Sequence, residues 1–269
     1  MSVVPETMSP DYRRIRVAWR DGIAVIELHR PEVLHAIDPL MLDELQHALH
    51  DVHRDPAVNA LLLTGSGSRA FCAGADIAWL SRSPALAVRA FAQSAVRVTR
   101  QIEELGKPSI AAINGVALGG GLELAEACML RVAARGARLG HPEVTIGALA
   151  GFGGTTRLPR LVGKGRAAEL LLSGRVIDAD EALQIGLVGQ LCAADDALGA
   201  AERALRALCA RPAEAVALTW DALHRGLNLT LDESIHLGAD YFGLVASTES
   251  FRHATRAFVA RRKDHGAAH

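Results

Sequence analysis

Two glutamates, Glu123 and Glu143, each lie beside a glycine-rich stretch of the chain. The first ends the run Ala117-Leu118-Gly119-Gly120-Gly121-Leu122-Glu123, and the second lies between Gly140-His141-Pro142 and Gly151-Phe152-Gly153-Gly154. Carboxylates can accept and deliver protons, and glycine lets backbone N–H groups come close to a reacting carbonyl oxygen. These residue types therefore indicate proton transfer beside a polarised carbonyl.

The spacing of the two glutamates does not by itself prove that they cooperate. Twenty positions separate them, too many for one face of a helix, so only the fold could bring them together. A simpler interpretation is that Glu123 caps the turn after the glycines and that Glu143 favours the first turn of a helix after Pro142. Both interpretations remain open on spacing alone.

The glycines favour the catalytic interpretation. Gly119, Gly120 and Gly121 directly precede an apolar helix predicted over residues 122–127, and a helix N-terminus carries unpaired N–H donors. A second loop of small residues, Phe71-Cys72-Ala73-Gly74-Ala75-Asp76-Ile77, follows a predicted strand and can also turn its amides toward a ligand. One amide from each loop would form a two-donor hole for a carbonyl oxygen.

Strand and helix patterns alternate through the first half of the chain. Asp38-Pro39 predicts a helix start, with the aspartate as N-cap and the proline at the first helical position. A second amphipathic helix is predicted over Val88 to Leu105. Short apolar runs typical of buried strands span Ile23 to Leu28, Ala60 to Thr64 and Ser109 to Ile113.

The last third of the chain is predicted to be helical. Asp178 with Glu181, and Thr230 with Glu233, have the spacing of a capping box. Helical patterns span Ala200 to Leu208, Ala213 to Leu223, Leu231 to Val245 and Phe251 to Arg261. The sequence shows no internal repeat. We therefore predict an α/β fold class with a core over residues 1–189 and a helical C-terminal region over residues 190–269.

Composition narrows the class of protein. The chain has 269 residues, of which 50% are hydrophobic, enough for one large globular domain. Its formal net charge of -1 gives no overall attraction to nucleic acid or to an anionic membrane, so neither is an expected partner. The apolar stretch from Ser109 to Leu130 contains two glutamates, an asparagine and a glycine run, and is interpreted as buried strand, loop and helix.

Cysteine content and the N-terminal sequence predict the compartment. Four widely spaced cysteines form no C-x-x-C pair, which favours free thiols in a reducing compartment. Met1 to Trp19 has neither the apolar core of a secretory signal nor the acid-poor composition of a transit peptide. We expect a cytoplasmic protein.

The ordered motifs resemble the enoyl-CoA hydratase/isomerase (crotonase) superfamily. The resemblance runs from about Arg30 to Lys263. It rests on the loop at 71–77, on Ala112-Ile113-Asn114-Gly115 and the glycine run at 117–125, on Pro142-Glu143, and on Gly151-Phe152-Gly153-Gly154-Thr155. It implies a crotonase-like spiral core of ββα repeats, with C-terminal helices that serve trimerisation and cap the active site. Homotrimers or homohexamers are expected.

The resemblance also implies roles for individual residues. Ala75 and Gly120 match the positions whose N–H groups form the oxyanion hole for the thioester carbonyl. Glu123 and Glu143 match the two catalytic glutamates of hydratases, the first acting mainly as base toward water and the second handling the proton at the α-carbon. The coenzyme A thioester is expected to contact Ala36, Ala73, Asp76, Ile77, Ala78 and Gly119.

Retention of both glutamates favours water addition across a trans-2-enoyl-CoA double bond. Members that only shift a double bond usually need one base, at the position matching Glu143. Other crotonase reactions remain alternatives, namely isomerisation, dehydration of a specialised acyl-CoA and thioester hydrolysis, and so does a non-catalytic acyl-CoA-binding scaffold. No metal or separate cofactor is expected, since coenzyme A is part of the substrate.

Departures from the family pattern bear on acyl-chain preference. His35-Ala36 stands where Asn-Ala is common, and Ala150 stands where a proline is usual. Because Ala150 and Phe152 belong to a loop expected near the acyl group, the preferred chain length is not predicted.

Overall fold

The computed structural model describes residues 12–266, with side chains through residue 260. Residues 1–11, which belong to the N-terminal stretch Met1 to Trp19, lie outside this range. The described strands are β1 (Ile15–Arg20), β2 (Ile23–Leu28), β3 (Ala60–Gly65), β4 (Ala70–Cys72), β5 (Ser109–Ile113), β6 (Val116–Leu118), β7 (Leu130–Ala134), β8 (Arg138–Gly140), β9 (Val176–Asp178) and β10 (Gln190–Cys192).

The described α-helices are α1 (Pro39–Arg54), α2 (Ile77–Leu80), α3 (Ala85–Glu103), α4 (Gly120–Ala127), α5 (Gly154–Val162), α6 (Lys164–Ser173), α7 (Ala179–Gln184), α8 (Ala197–Cys209), α9 (Ala213–Gly226), α10 (Leu231–Ala246) and α11 (Glu249–Gly266). Short 3₁₀ helices span Pro31–Val33 and Pro142–Ile146. The three predicted strands are confirmed as β2, β3 and β5. The predicted helix start at Asp38 is also confirmed, because the Asp38 side chain accepts the Met41 N–H at 2.8 Å.

Two sheets run through the α/β part of the chain. The larger has the strand order β1-β2-β3-β5-β7-β10, in which only the β1–β2 pair is antiparallel. The smaller has the order β4-β6-β8-β9, with β4, β6 and β8 parallel. Each of β3, β5 and β7 is followed by one strand of the smaller sheet and then by helix, so the ββα unit occurs three times, as predicted for a spiral core.

Burial explains why the central strands carry apolar runs. Every residue of β3 and of β5 is buried, since helices and the second sheet cover both faces of these parallel strands. Asn114, just after β5, donates through Nδ2 to the carbonyls of Gly65 and Gly67 at 2.8 and 2.7 Å. These hydrogen bonds connect the turn after β5 to the turn after β3. Each of these turns leads into a strand of the smaller sheet.

The chain divides into two compact units, with the division between Arg206 and Ala207. The predicted C-terminal helices are present: α8 crosses the division, whereas α9, α10 and α11 belong to the second unit, where the Thr230–Glu233 capping box is complete. At Asp178 only half of the predicted box forms, because the Glu181 carboxylate binds Arg175 instead of the N-cap amide. Strand β10 lies in a region where the sequence pattern predicted none.

Candidate active site

A cavity of about 320 Å³ in the first unit brings the predicted catalytic groups together. Glu123, Glu143, Ala75 and Gly120 all line it. Glu123 lies in the first turn of α4, and Glu143 lies in the first turn of the 3₁₀ helix after Pro142. Both glutamates therefore occupy the helix-start positions of the simpler interpretation, and the fold still turns both toward one cavity.

The predicted amide donors are available at this cavity. Within the described residues, neither the Ala75 N–H nor the Gly120 N–H donates to another atom of the protein. The two loops touch at Gly74, where a Cβ would lie 2.9 Å from the Leu118 carbonyl oxygen and 3.6 Å from the Gly120 nitrogen. Gly74 has φ +102°, which a side chain would strain. Glycine thus permits the close approach that puts both donors on one cavity.

Glu123 is held rigidly by backbone donors. Its Oε1 accepts the N–H groups of Phe152 and Gly154 at 2.7 and 2.6 Å, and the residue is only 1% exposed. Because both donors bind the same oxygen, Oε2 is left to face the cavity that Glu123 lines. The glycine-rich stretch at 151–154 is the sequence signal for these backbone donors, but only the fold shows that they bind Glu123.

Glu143 has no comparable support. Neither of its carboxylate oxygens, both buried, has a hydrogen-bond partner among the described residues. Its Oε1 lies 2.8 Å from the position that a Cβ on Gly119 would take, so the glycine run also makes room for this carboxylate. A buried carboxylate without hydrogen-bond partners is costly unless a ligand supplies a donor, which marks Glu143 as a reactive or ligand-binding group.

Two further charged side chains lie beside these glutamates, and the sequence prediction missed their connection. His141 Nε2 is 2.9 Å from Glu126 Oε1, and His141 Nδ1 is 3.7 Å from Glu143 Oε1. The side chains of His141 and Glu126 are 1% and 0% exposed. A signal existed, because Glu126 follows Glu123 by three positions on α4, which places both on one helix face.

Burial and charge shift the protonation of this cluster. Burial raises the pKa of Glu123 to about 7, although the Gly154 amide and His141 act in the opposite direction. Burial alone would lower the pKa of His141, but its interactions with Glu126, Glu143 and Glu123 outweigh this and raise the pKa to about 10. At neutral pH Glu123 can therefore act as acid or base beside an imidazolium.

The predicted substrate-contact residues divide into two groups. Ala73, Ile77 and Gly119 line the cavity, whereas Ala36, Asp76 and Ala78 do not. Asp76 caps α2 by accepting the Trp79 N–H at 3.1 Å and pairs with Arg30 Nη1 at 3.1 Å. The carbonyl of Ala36 accepts from the same Arg30 nitrogen at 2.6 Å.

The remaining wall of the cavity is mostly apolar. Phe91 packs edge-on against Phe152 with ring centroids 5.4 Å apart, and Phe91 also lies 4.9 Å from Trp79. Other apolar lining residues are Leu80, Val88, Ala92, Ile146 and Leu149. Phe152, expected near an acyl group, therefore does line the cavity, and Ala150 is buried beside it. Such a wall suits a hydrocarbon chain next to the carboxylates.

The other candidate features carry less chemistry. All four cysteines are free thiols, and burial raises the pKa of the Cys72 thiol to about 12, which makes it a poor nucleophile. Within residues 12–260, no three histidine, cysteine or acidic side chains are grouped as a metal site would require. Among the described helices, none has the length and apolarity of a membrane span.

Comparison with known proteins places the chain in a family. The family model described as enoyl-CoA hydratase/isomerase matches residues 19–266. Crotonyl-CoA hydratase of Syntrophomonas wolfei is 40% identical over 94% of this chain and 97% of its own length. Short-chain-enoyl-CoA hydratase of Clostridium acetobutylicum is 38% identical over 91% of this chain and 94% of its own length.

Solved structures agree with the sequence comparisons. The crystal structure of enoyl-CoA hydratase from Bacillus anthracis superposes with a TM-score of 0.88 at 34% identity, covering 93% of this chain and 97% of the other. The predicted crotonase-like fold is thus confirmed together with the resemblance seen in the motifs. The chain belongs to the enoyl-CoA hydratase/isomerase family.

Proposed function

We infer that this protein is an enoyl-CoA hydratase, a hydro-lyase that adds water across the double bond of a trans-2-enoyl-CoA to give a 3-hydroxyacyl-CoA. The observation that carries this function is the convergence of Glu123 and Glu143 with the unpaired amides of Ala75 and Gly120 on one apolar-walled cavity. That set contains what water addition to an enoyl thioester needs, namely two proton-handling groups and two donors for the carbonyl oxygen.

The two amides are proposed to act as the oxyanion hole. As the oxygen of water bonds to the β-carbon, negative charge moves onto the thioester oxygen and the transition state resembles an enolate. Two N–H donors at about 2.7 to 3.1 Å from that oxygen would stabilise the charge more in the transition state than in the substrate. The position of Gly120 at the N-terminus of α4 adds the helix dipole to the effect of its amide.

The two glutamates are proposed to move the protons. Glu123, fixed by two backbone amides, removes a proton from water through Oε2, and Glu143 delivers a proton to the α-carbon. The pKa of Glu123, raised to about 7 by burial, suits a base that must recover its charge in each turnover. The rigid support of Glu123 and the unpaired oxygens of Glu143 support this division of roles.

The coenzyme A part of the substrate is proposed to lie along three segments of the fold. Ala36 and Gly119 lie in segments of their own, and Ala73, Asp76, Ile77 and Ala78 belong to the third segment; Ala73, Ile77 and Gly119 line the cavity, and the other three do not. A thioester carbonyl held at the amides of Ala75 and Gly120 would leave the acyl chain against Phe91 and Phe152. Coenzyme A enters as part of the substrate, and no separate cofactor is proposed.

The function is tested by following the loss of enoyl thioester absorbance with crotonyl-CoA and with a long-chain trans-2-enoyl-CoA. We expect turnover with crotonyl-CoA, as the names of the Syntrophomonas and Clostridium relatives support. A 3-enoyl-CoA assayed in parallel detects isomerisation, and release of free thiol detects thioester hydrolysis. If the protein isomerises the 3-enoyl-CoA or hydrolyses the thioester but does not hydrate crotonyl-CoA, that other activity would be its function. Binding of the acyl-CoA without any turnover would indicate a scaffold.

Replacing Gly74 by alanine is expected to reduce crotonyl-CoA hydration about 10²-fold, as does removal of one oxyanion-hole donor. The new Cβ would meet the Leu118 carbonyl oxygen at 2.9 Å and would push apart the loops that carry the two donors. The matched control is Gly136→Ala, because nothing lies within 4 Å of a Cβ at Gly136. Equal kcat/KM for the two variants would remove Gly74 from the construction of the hole.

Self-assembly and a cytoplasmic location are also proposed. In the second unit, the described α9 and α10 contain no buried residue. Exposed apolar side chains of this unit include Leu227, Leu231, Ile235, Phe242, Leu244 and Phe258. Such a surface supports burial against further copies, as a trimer or hexamer, and sedimentation of the purified protein as a monomer would contradict it.

The four free thiols support a reducing compartment.

A further inference from the structure

The buried pair Glu126–His141 lies against the reactive cluster but outside the cavity. Neither residue lines the cavity, and His141 Nδ1 lies 3.7 Å from Glu143 Oε1, too far for a hydrogen bond but close enough for a strong electrostatic interaction. We propose that Glu126 anchors His141 as a fixed cation that positions and electrostatically supports the two carboxylates that move protons. This inference rests on the proposed hydratase function.

The packing of His141 connects it to both carboxylates. On one side its Nδ1 faces Glu143. On the other side the ring contacts Gly154, where a Cβ would meet His141 Cε1 at 2.9 Å and Glu123 Cγ at 3.1 Å. Gly154 is also the residue whose N–H binds Glu123 Oε1 at 2.6 Å. Movement of the imidazole would therefore disturb the support of Glu123 as well as the charge beside Glu143.

The positive charge of the His141 imidazolium offsets part of the negative charge of three neighbouring carboxyl groups in a buried environment. Without a cation, the carboxylate of Glu126 and the ionised form of Glu123 would repel each other, and Glu143 would add to this repulsion once it has given its proton to the α-carbon. The hydrogen bond of 2.9 Å from His141 to Glu126 holds the imidazolium in place, and its interactions with the carboxylates raise the pKa of His141 to about 10 despite burial. The cation thus persists across the pH range in which the enzyme would work.

Other charged groups act on this cluster from neighbouring elements. Arg157 of α5 interacts with Glu123 and Glu126, and is itself paired with Glu103 of α3 at 2.6 Å. Arg131 of β7 also interacts electrostatically with Glu126. These two arginines have partners of their own, in Glu103 and in the carbonyls of Leu187 and Cys128. Among residues 12–260, His141 is the cation that forms an ion pair with Glu143, at 3.7 Å.

A purely structural role is the competing interpretation. A buried ion pair is weak evidence for stability, since similar apolar residues often serve as well. The two roles separate in the pH dependence of catalysis. If His141 supports the ionised form of Glu123, its removal raises the pKa of that base and moves the acid limb of kcat/KM to higher pH. A structural role would change stability and leave that limb in place.

The test compares the wild type with His141→Gln and with the double variant Glu126→Gln/His141→Gln. Glutamine keeps a donor for Glu126, and the double variant leaves no unpaired charge, so one of the two should fold even if the other does not. We expect the acid limb of kcat/KM for crotonyl-CoA hydration to move up by about one pH unit in His141→Gln, and by less in the double variant, because the Glu126 charge that it also removes acts on Glu123 in the opposite direction. We expect kcat to fall about 10-fold in both variants. We expect KM to change little, because neither residue lines the cavity. His50→Gln, an exposed histidine, is the matched control.

Two outcomes would overturn the proposal while leaving the hydratase function intact. One is an active wild type whose folded variants keep its acid limb and kcat. The other is a ¹⁵N NMR titration in which the His141 imidazole of the wild type is neutral at pH 8, since the proposal requires an imidazolium there. A wild type without hydratase activity would instead end the proposed function, and the NMR measurement would still report the charge of His141.

Discussion

Glutamine at position 123 is expected to lower kcat for crotonyl-CoA hydration by about 10³-fold, within the roughly 10² to 10⁴ that a positioned acid or base contributes. The variant cannot take a proton from water, but its amide oxygen can still accept the N–H groups of Phe152 and Gly154 that hold Glu123 at 2.7 and 2.6 Å. KM should change much less than kcat. Stopped-flow or steady-state loss of enoyl absorbance measures both.

The same substitution has a predictable effect on stability. Burial raises the pKa of Glu123 to about 7 in the folded state, so ionising this carboxyl costs stability as the pH rises from the unfolded-state value toward 7. Glutamine removes that cost. The difference in stability between Glu123→Gln and the wild type should therefore be more favourable to the variant at pH 8 than at pH 4. Thermal unfolding of both proteins at the two pH values measures this difference.

The control for position 123 is Glu104→Gln, which changes an exposed carboxylate paired with Arg100 at 3.0 Å. An exposed pair of this kind contributes little, so both activity and stability should stay near wild type. Near-normal hydration by Glu123→Gln would remove Glu123 from the mechanism. A loss of activity that follows unfolding at every pH would reduce its role to structure.

Glutamine at position 143 is expected to depress hydration by about 10²-fold or more, because delivery of the α-proton then lacks its acid. The substitution is nearly isosteric, so the glutamine still fits the space that Gly119 leaves, where a Cβ would lie 2.8 Å from Oε1. The decisive measurement is the exchange of the α-proton of 3-hydroxybutyryl-CoA with deuterium in D₂O. Exchange should fall in parallel with hydration.

A contrary result at position 143 would take a specific form. If α-proton exchange in Glu143→Gln stayed near the wild-type rate, another group would have to handle that proton, and Glu143 would be a binding residue. Glu32→Gln serves as the control, since Glu32 is exposed and does not line the cavity. Its turnover and exchange should match those of the wild type.

Local patterns predicted most of the framework. The apolar runs over residues 23–28 and 109–113 are strands β2 and β5 with the predicted ends, because strands buried on both faces select apolar side chains along their whole length. The Asp38 cap is equally local, since its partner Met41 lies three residues away. Strand β10, by contrast, has three residues and depends on pairing with β7, so no local pattern identified it.

The ββα repetition was implied by the family resemblance and not by any repeat in the sequence. The three units share a geometry but not a set of side chains, because each packs against different neighbours. Their common feature is the order of paired strands in two sheets, which depends on long-range hydrogen bonds such as β3 with β5 and β4 with β6. Sequence self-comparison does not detect such pairing.

The amino-acid sequence alone selected Glu123, Glu143 and the glycine-bearing loops as candidates, because carboxylates transfer protons and glycine-rich turns expose backbone amides, but their spacing left a helix-capping role open. What only the tertiary structure decided is their convergence on one cavity, the double amide grip on Glu123, and the Glu126–His141 pair beside Glu143. The physical reason is that these contacts join segments 15 to 31 positions apart along the chain, and their distances are set by the packing of α4 against neighbouring loops. Residue types are local information, whereas charge balance in a buried site is a property of the assembled fold.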